Sequence, residues 1–234
     1  MEKVLCIVPA RSGSKRLKNK NKRPLNGKPL IAWTLEEAKK SILIDRIVVS
    51  TDDEAISDIS MLLGAEVVMR PQELASDTAG TVDVVKHALD WLKQKDYSAE
   101  HIILLQCTSP LRTAGHIDEA LGRYLDNMGS IDSLISVTRA EHPPWWMKSI
   151  DRTGILTDFL EYDRDKYKRS QDFPDVYRIN GAIYIVKASK LFEFNGFQTE
   201  KTLSYIMEPQ FSIDIDTETD FMFAEFLMSR LKSN

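Results

Sequence analysis

The chain has 234 residues, 43% hydrophobic and 28% charged, which is enough to bury a core without disulfide or metal staples in one domain, with or without a modest insertion. No run of 18 apolar residues excludes a membrane-spanning helix, and the first residues reach Pro9 and a basic stretch too soon for the apolar segment of a signal peptide. A net charge of -4 argues against bulk attraction to nucleic acid, and two cysteines, Cys6 and Cys107, make neither a disulfide framework nor a ligand cluster, which fits a reducing cytoplasm.

In chain order, short runs rich in Val, Ile and Leu alternate with longer segments of helical spacing. Residues 4–8, 46–50, 65–69, 101–106 and 132–137 read as buried strands; residues 30–40, 54–63, 82–93 and 117–127 read as amphipathic helices. This alternation predicts an α/β fold of three layers, a mainly parallel sheet with helices on both faces. Ligands of such sheets gather outside the carboxyl ends of the strands. The rhythm breaks between residues 139 and 178, where His142-Pro143-Pro144-Trp145-Trp146 opens a stretch dense in charges and aromatics. Two readings stand, a hairpin folded over its own domain or an arm packed on a second subunit; adjacent tryptophans favour the second. The core resumes with a strand at 181–186, a short helix at 189–194, a strand at 212–216 and a last helix at 217–231. Residues 1–138 and 179–234 then form one domain, and 139–178 an insertion.

The loop after the first strand carries the strongest local signal. From Arg11 to Lys28 there are eight Lys or Arg and no acid. Like charges crowded at a strand end call for a compensating anion. Gly13, between Ser12 and Ser14, lets backbone N–H groups approach a phosphate, while Arg11 and Lys15 can add charge-assisted bonds. The loop matches neither a P-loop nor a dinucleotide fingerprint, and no aromatic is interleaved as nucleic-acid binding would want. A polyphosphate cradle is the reading preferred over a merely solvated basic loop.

Ser212-Ile213-Asp214-Ile215-Asp216 alternates strictly. On a strand this puts both aspartates on one face, roughly 7 Å apart, and both isoleucines in the core. Two such carboxylates beside a phosphate loop fit the Mg²⁺ pattern; the plainer alternative is strand-end solvation with Asp216 capping the next helix. Elsewhere the signals are weaker. Asp52 and Asp53 end a strand and are expected to cap a helix. Asp77 is expected to open the helix that carries Val82 and Val85, with small neighbours leaving room for a flat base. His87, His101, His116 and His142 lack metal-ligand spacing, and Cys107 is expected to pack.

Taken together, Ala10-Arg11-Ser12-Gly13-Ser14-Lys15, Lys20-Asn21, Arg70-Pro71 with Leu74-Ala75-Ser76-Asp77-Thr78, Leu105-Gln106-Cys107-Thr108-Ser109-Pro110-Leu111-Arg112, Asn180-Gly181-Ala182-Ile183-Tyr184 and Asp214-Ile215-Asp216 resemble the acylneuraminate cytidylyltransferases, in order and over essentially the whole chain. The resemblance implies a Rossmann-like nucleotidyltransferase fold with an inserted dimerisation arm. It implies transfer of CMP from CTP to a nine-carbon 2-keto sugar acid, with Mg²⁺ and release of pyrophosphate, by a cytoplasmic homodimer. It further implies a nucleotide site made of Arg11, Ser12, Gly13, Ser14, Lys15 and Lys20 around the phosphates, with Asn21 holding the nucleotide and Arg70, Ala79 and Thr81 around base and ribose. Catalysis would fall to Arg11, Lys15, Asp214 and Asp216, the last two holding the metal. Gln106 would contact the sugar acid, and Arg169 and Arg178 of the arm would meet its carboxylate.

In the family Ser often stands at the position of Thr81, which keeps the hydroxyl, and Pro commonly at that of Cys107, beside Gln106. The same reaction on legionaminic or pseudaminic acid is an alternative, as is a nucleotide-binding subunit without turnover. A phosphatase on a similar sheet would want an aspartate nucleophile where Pro9-Ala10-Arg11 stands.

Overall fold

The computed structural model describes residues 3–76 and 79–231. In chain order the elements are β1 (Val4–Pro9), two short strands β2 (Pro24–Leu25) and β3 (Lys28–Pro29), α1 (Leu30–Lys40), β4 (Arg46–Thr51), α2 (Glu54–Leu62), β5 (Glu66–Met69), α3 (Gln72–Ala75), α4 (Thr81–Lys93), β6 (His101–Leu104) and α5 (Ala114–Asn127). There follow β7 (Ser133–Arg139), a ribbon of β8 (Lys148–Ile150) and β9 (Leu156–Asp158), β10 (Tyr177–Lys187), α6 (Ala188–Phe194), β11 (Thr202–Ile206) and α7 (Glu218–Leu231). Among these no helix is long and apolar enough to cross a membrane.

Seven strands form one sheet in the order β11-β7-β10-β6-β1-β4-β5. Only β10 runs against the others. Alternation along β1 feeds both faces: Cys6 and Val8 enter a core with Ile31 and Leu35 of α1 and Leu121 and Tyr124 of α5. Leu5 and Ile7 enter a second core with Val85, Ala88 and Leu92 of α4 and Leu191 of α6. The three-layer, mainly parallel architecture expected from sequence is therefore present. The chain runs outward from β1 through β4 to β5 and then returns to β6 on the other side of β1. The loops after β1 and β6 thus diverge at a topological switch point, where such sheets bind ligands.

Two expectations are corrected. Residues 212–216 are not a strand: they lie outside the sheet, and Ile215 N–H donates to the Thr108 carbonyl (2.8 Å). Ile215 is fully buried, as alternation required, in a third core made by Leu17, Leu25 and Leu30 with Phe221, Ala224 and Met228 of α7. The strand at that edge is instead β11, unmarked in the sequence because three of its five residues are polar. Second, β10 begins at Tyr177, and its pairing with β7 is interrupted between Ile179 and Tyr184. Asp77 and Thr78 lie outside the described residues.

Between β7 and β10, Phe173 is buried under a shell of rings, with Trp145 and Tyr167 stacked on it at 5.2 and 4.9 Å and Trp146 edge-on at 6.0 Å. Beyond this cluster β8 and β9 are almost wholly exposed.

α5 begins in a reciprocal cap: Thr113 Oγ1 accepts His116 N–H, and His116 Nδ1 accepts Thr113 N–H at 3.1 Å. The second bond needs an unprotonated Nδ1, and burial lowers the ring's pKa below 6.5. The unfolded chain then binds the proton first, so stability is complete above about pH 7 and declines as the pH falls from 6.5 through the folded value. His116→Gln keeps an acceptor without the titration and is expected to flatten this decline. Urea midpoints at pH 7.5 and 5.5 measure it; an unchanged difference between the two would refute the assignment.

Candidate active site

The loop after β1 is braced from outside itself. Asp52, at the end of β4, accepts from Ser12 N–H (2.8 Å) and Ser12 Oγ–H (2.6 Å). Only Asp53 caps α2, accepting from Ile56 N–H while pairing with Lys22 at 2.7 Å. Asn19 adopts a left-handed backbone, turning the chain so that Asn21 Nδ2 donates to the Arg11 carbonyl at 3.0 Å. Arg16 and Lys20 meet Asp216 at 3.1 and 3.2 Å, Arg23 forks onto Glu218, and Lys28 pairs with Glu36. Acids elsewhere in the chain therefore compensate Arg16, Lys20, Lys22, Arg23 and Lys28. The charge excess by itself does not demand an anion; the case for one rests on which groups line the adjoining cavity.

That cavity, about 320 Å³, opens at the switch point. It is lined by Arg11, Ser14, Lys20 and Asn21 from the loop after β1, by Arg70, Ala79 and Thr81, and by Gln106, Thr108, Asp214 and Asp216. A neighbouring recess of about 450 Å³ takes in Gly13, Lys15 and Lys18. Gly13 has an ordinary φ, and a Cβ there would meet no protein atom within 4 Å, so neither strain nor packing of the chain itself requires glycine. Ser12 turns to Asp52 and does not line the cavity. Arg70 is buried, with Nη2 donating to the Ser50 carbonyl at 2.6 Å, and desolvation lowers its pKa. Arg169 pairs with Asp172, and Arg178 lies 3.9 Å from Glu141; neither lines this cavity.

The two carboxylates differ. Asp216 is shared by Lys20 and Arg16. Asp214 has no lysine or arginine partner among the described residues; its carboxyl loses water to its surroundings, and Asp216 repels it, so its pKa is raised although a Thr108 hydrogen bond opposes this. The phosphate loop and the aspartates, some 200 residues apart in sequence, are joined where Lys20 Nζ also donates to the Ile215 carbonyl at 2.7 Å.

Sequence reasoning quoted Asn180 and Gly181 without giving them a role. They form the interruption in β10. Ser136 of β7 stands opposite four residues there, its hydroxyl accepting Ile183 N–H (2.7 Å) and donating to Asn180 Oδ1 (2.6 Å). Asn180 Nδ2 donates to Ser212 Oγ at 2.9 Å, which ties the bulge to the segment leading into Asp214. Gly181 has φ +76°, and a Cβ there would stand 3.0 Å from Gln106 Oε1 and 3.5 Å from Asp214 Oδ2. An Asn-Gly pair inside an apolar strand pattern is the signal that could have marked this bulge.

Next to Gln106 and Thr81 a third recess of about 230 Å³ is walled by Leu104, Ile135, Ile179, Tyr184, Phe197 and Gln198. Cys107 is buried, and desolvation pushes its thiol up to about 12, too high for a thiolate nucleophile at neutral pH.

A mainly parallel sheet with a polar cavity at its switch point, lined by both cations and carboxylates, defines an α/β protein of the nucleotidyltransferase type. The chain belongs to the cytidylyltransferase family, whose family model matches residues 5–231. It is 38% identical over 222 residues to an N-acylneuraminate cytidylyltransferase of Escherichia coli O18:K1:H7, covering 95% of this chain and 51% of that protein. It is 37% identical over 229 residues to a CMP-N,N'-diacetyllegionaminic acid synthase of Legionella pneumophila, covering 97% and 96%. The chain thus spans about half the length of the neuraminate relative. Its fold is similar to that of a CMP:2-keto-3-deoxy-manno-octonic acid synthetase complexed with CTP, with a TM-score of 0.72 and 17% identity over 98% of this chain and 100% of that one.

Proposed function

We propose that the protein transfers CMP from CTP to the anomeric hydroxyl of a nine-carbon 2-keto sugar acid, N-acylneuraminate first, releasing pyrophosphate. The observation that carries this is one cavity lined by Arg11, Lys20, Asp214 and Gln106 together. Arg11, Lys20 and, from the adjoining recess, Lys15 would neutralise the triphosphate; Asn21, Arg70, Ala79 and Thr81 would hold base and ribose. Gln106 would orient the acceptor, whose ring substituents find apolar walls in the recess of Tyr184 and Phe197. The anomeric oxygen bonds to the α-phosphorus as the bond to pyrophosphate breaks. With no covalent intermediate, positioning and charge neutralisation supply the rate.

A Mg²⁺ ion fits these residues. Asp214 is a desolvated carboxylate next to a like charge, which a cation would relieve, and no three acids or histidines among the described residues gather to hold a metal alone. Asp214 and Asp216 with substrate phosphates would then be the oxygen donors, and the ion would supply charge stabilisation at the phosphates. Two unpaired, buried cysteines support a cytoplasmic location.

The identities to the neuraminate and legionaminate relatives differ by one point, 38 against 37%, so legionaminic acid is the second acceptor to test. A pyrophosphate-release assay with CTP against a panel of nine-carbon 2-keto sugar acids decides between them. No release with any acceptor leaves only a nucleotide-binding role, and equal rates with UTP or ATP sink the base-pocket assignment.

A homodimer built through residues 139–178 is part of the same reading. It is supported by Ile150, Leu156 and Phe159, which are 63–70% exposed around the β8–β9 ribbon. Arg169 and Arg178 would then serve the partner's sugar carboxylate. A monomer in sedimentation velocity at micromolar concentration would remove the arm from the mechanism.

A further inference from the structure

Arg112 is only 1% exposed, and no carboxylate pairs with it among the described residues. Its donors go to neutral oxygens on three elements. Nη1 donates to the carbonyls of Ala182 in β10 (2.8 Å) and of Gln106 beyond β6 (3.2 Å), and Nη2 donates to Thr34 Oγ1 in α1 (2.9 Å). Nε finds no acceptor at all. Burial lowers the pKa to about 10, so the group stays charged at neutral pH.

A cation removed from water without a counter-ion is expensive, and leucine or methionine would fill the same space. What a guanidinium adds is a planar fork: its Nη2 is anchored on Thr34 of α1 while its Nη1 reaches both carbonyls, which fixes their relation. Those carbonyls stand where the sheet has come apart. The β6–β10 ladder runs from His101↔Lys187 to Leu104↔Tyr184 and goes no further. Past that point Gln106 diverges on one side and the Asn180–Gly181 bulge on the other, and Arg112 spans the gap. At the bulge, the space beside the Gly181 Cα is closed by Gln106 and Asp214: a Cβ there would stand 3.0 Å from Gln106 Oε1 and 3.5 Å from Asp214 Oδ2.

We infer that Arg112 is a positioning residue: by bridging the unladdered ends of β6 and β10 it sets the spacing between Gln106 and Asp214, and with it the presentation of the acceptor, without touching either substrate. The inference rests on the proposed role of Gln106 in holding the sugar acid.

The test is Arg112→Lys and Arg112→Met, assayed beside wild type for acceptor KM, kcat and CTP affinity by calorimetry without acceptor. Acceptor KM is expected to rise roughly 10- to 100-fold in both. CTP affinity is expected to stay within about 3-fold, because Asp52, Asp216 and the Asn21 side chain brace the phosphate loop independently of Arg112. Full recovery by lysine would mean that charge and not the fork is needed, and a parallel loss of CTP affinity would reduce Arg112 to general stability; either overturns the inference. Should both variants fail to fold, Thr34→Val, which removes one of the three acceptors, is expected to move acceptor KM the same way by about 3-fold, and no movement overturns it.

A readout that needs no turnover is the Gln106 side-chain amide pair in ¹⁵N NMR spectra, assigned by its loss in Gln106→Glu. It is expected to shift in Arg112→Lys, and an unmoved pair refutes the bridge. An inactive wild type would refute cytidylyl transfer, leaving the bridge to be decided by this spectrum.

Discussion

Asp214→Asn is expected to cut kcat/KM by about 10²- to 10³-fold while the thermal midpoint holds or rises. The two halves of the result share one cause. Asp214 is partly desolvated and faces the like charges of Asp216 and Asp220, against which the Thr108 hydrogen bond and the attraction of Lys20 act. Its pKa is raised, so the folded state holds the charge against a penalty at neutral pH, and a neutral amide of the same shape relieves it. What disappears is the negative charge that would meet a metal–nucleotide complex in the cavity it lines with Arg11 and Lys20. Asp216→Asn is a less clean experiment, since it also releases Lys20 and Arg16. Pyrophosphate release at saturating CTP, read beside a melting curve, gives the answer. Turnover within threefold of wild type would remove Asp214 from the mechanism.

Gly181→Ala is expected to lower kcat/KM by about 10²-fold, because displacements near 1 Å at a reacting centre cost that much. The alanine methyl would arrive 3.0 Å from Gln106 Oε1 and 3.6 Å from Asp214 Cγ, and the +76° φ penalises any side chain. The backbone cost is about 1–2 kcal/mol, worth a fall of roughly 2–8 °C in melting temperature for a chain of this size. Activity should therefore fall far more than stability does, and acceptor KM should rise. A variant that melts lower yet keeps its acceptor KM would show that Gly181 serves only the fold.

Much of the site was legible before any coordinates. The basic run between Arg11 and Lys28 and the burial of Ile215 follow from strings of residues whose chemistry is local, whereas Arg70, Thr81 and Gln106 were placed at the site by the family resemblance. Less was legible where a residue's partner is distant. Asp52 looked like a helix cap, and its actual contact, Ser12, lies 40 positions away in the sequence. The alternation at 212–216 described the facing of its side chains correctly but implied a ladder that is not there, because Ile215 N–H is taken by the Thr108 carbonyl. Nothing local marks Arg112 as buried, since an arginine in a loop is ordinarily solvated.

The amino-acid sequence by itself determined the alternation of strands and helices, hence a mainly parallel sheet with its reactive edge at the strand ends, and it supplied the kinds of group a phosphate-handling site needs. Periodicity and charge act over a few residues, so they can be read along the chain. Only the tertiary structure decided which cations Asp216 and Glu218 already neutralise, that β10 opens into a bulge at Gly181, and that a buried guanidinium holds the parted strands. Those outcomes depend on which segments desolvate one another, and burial is a property of the packed molecule.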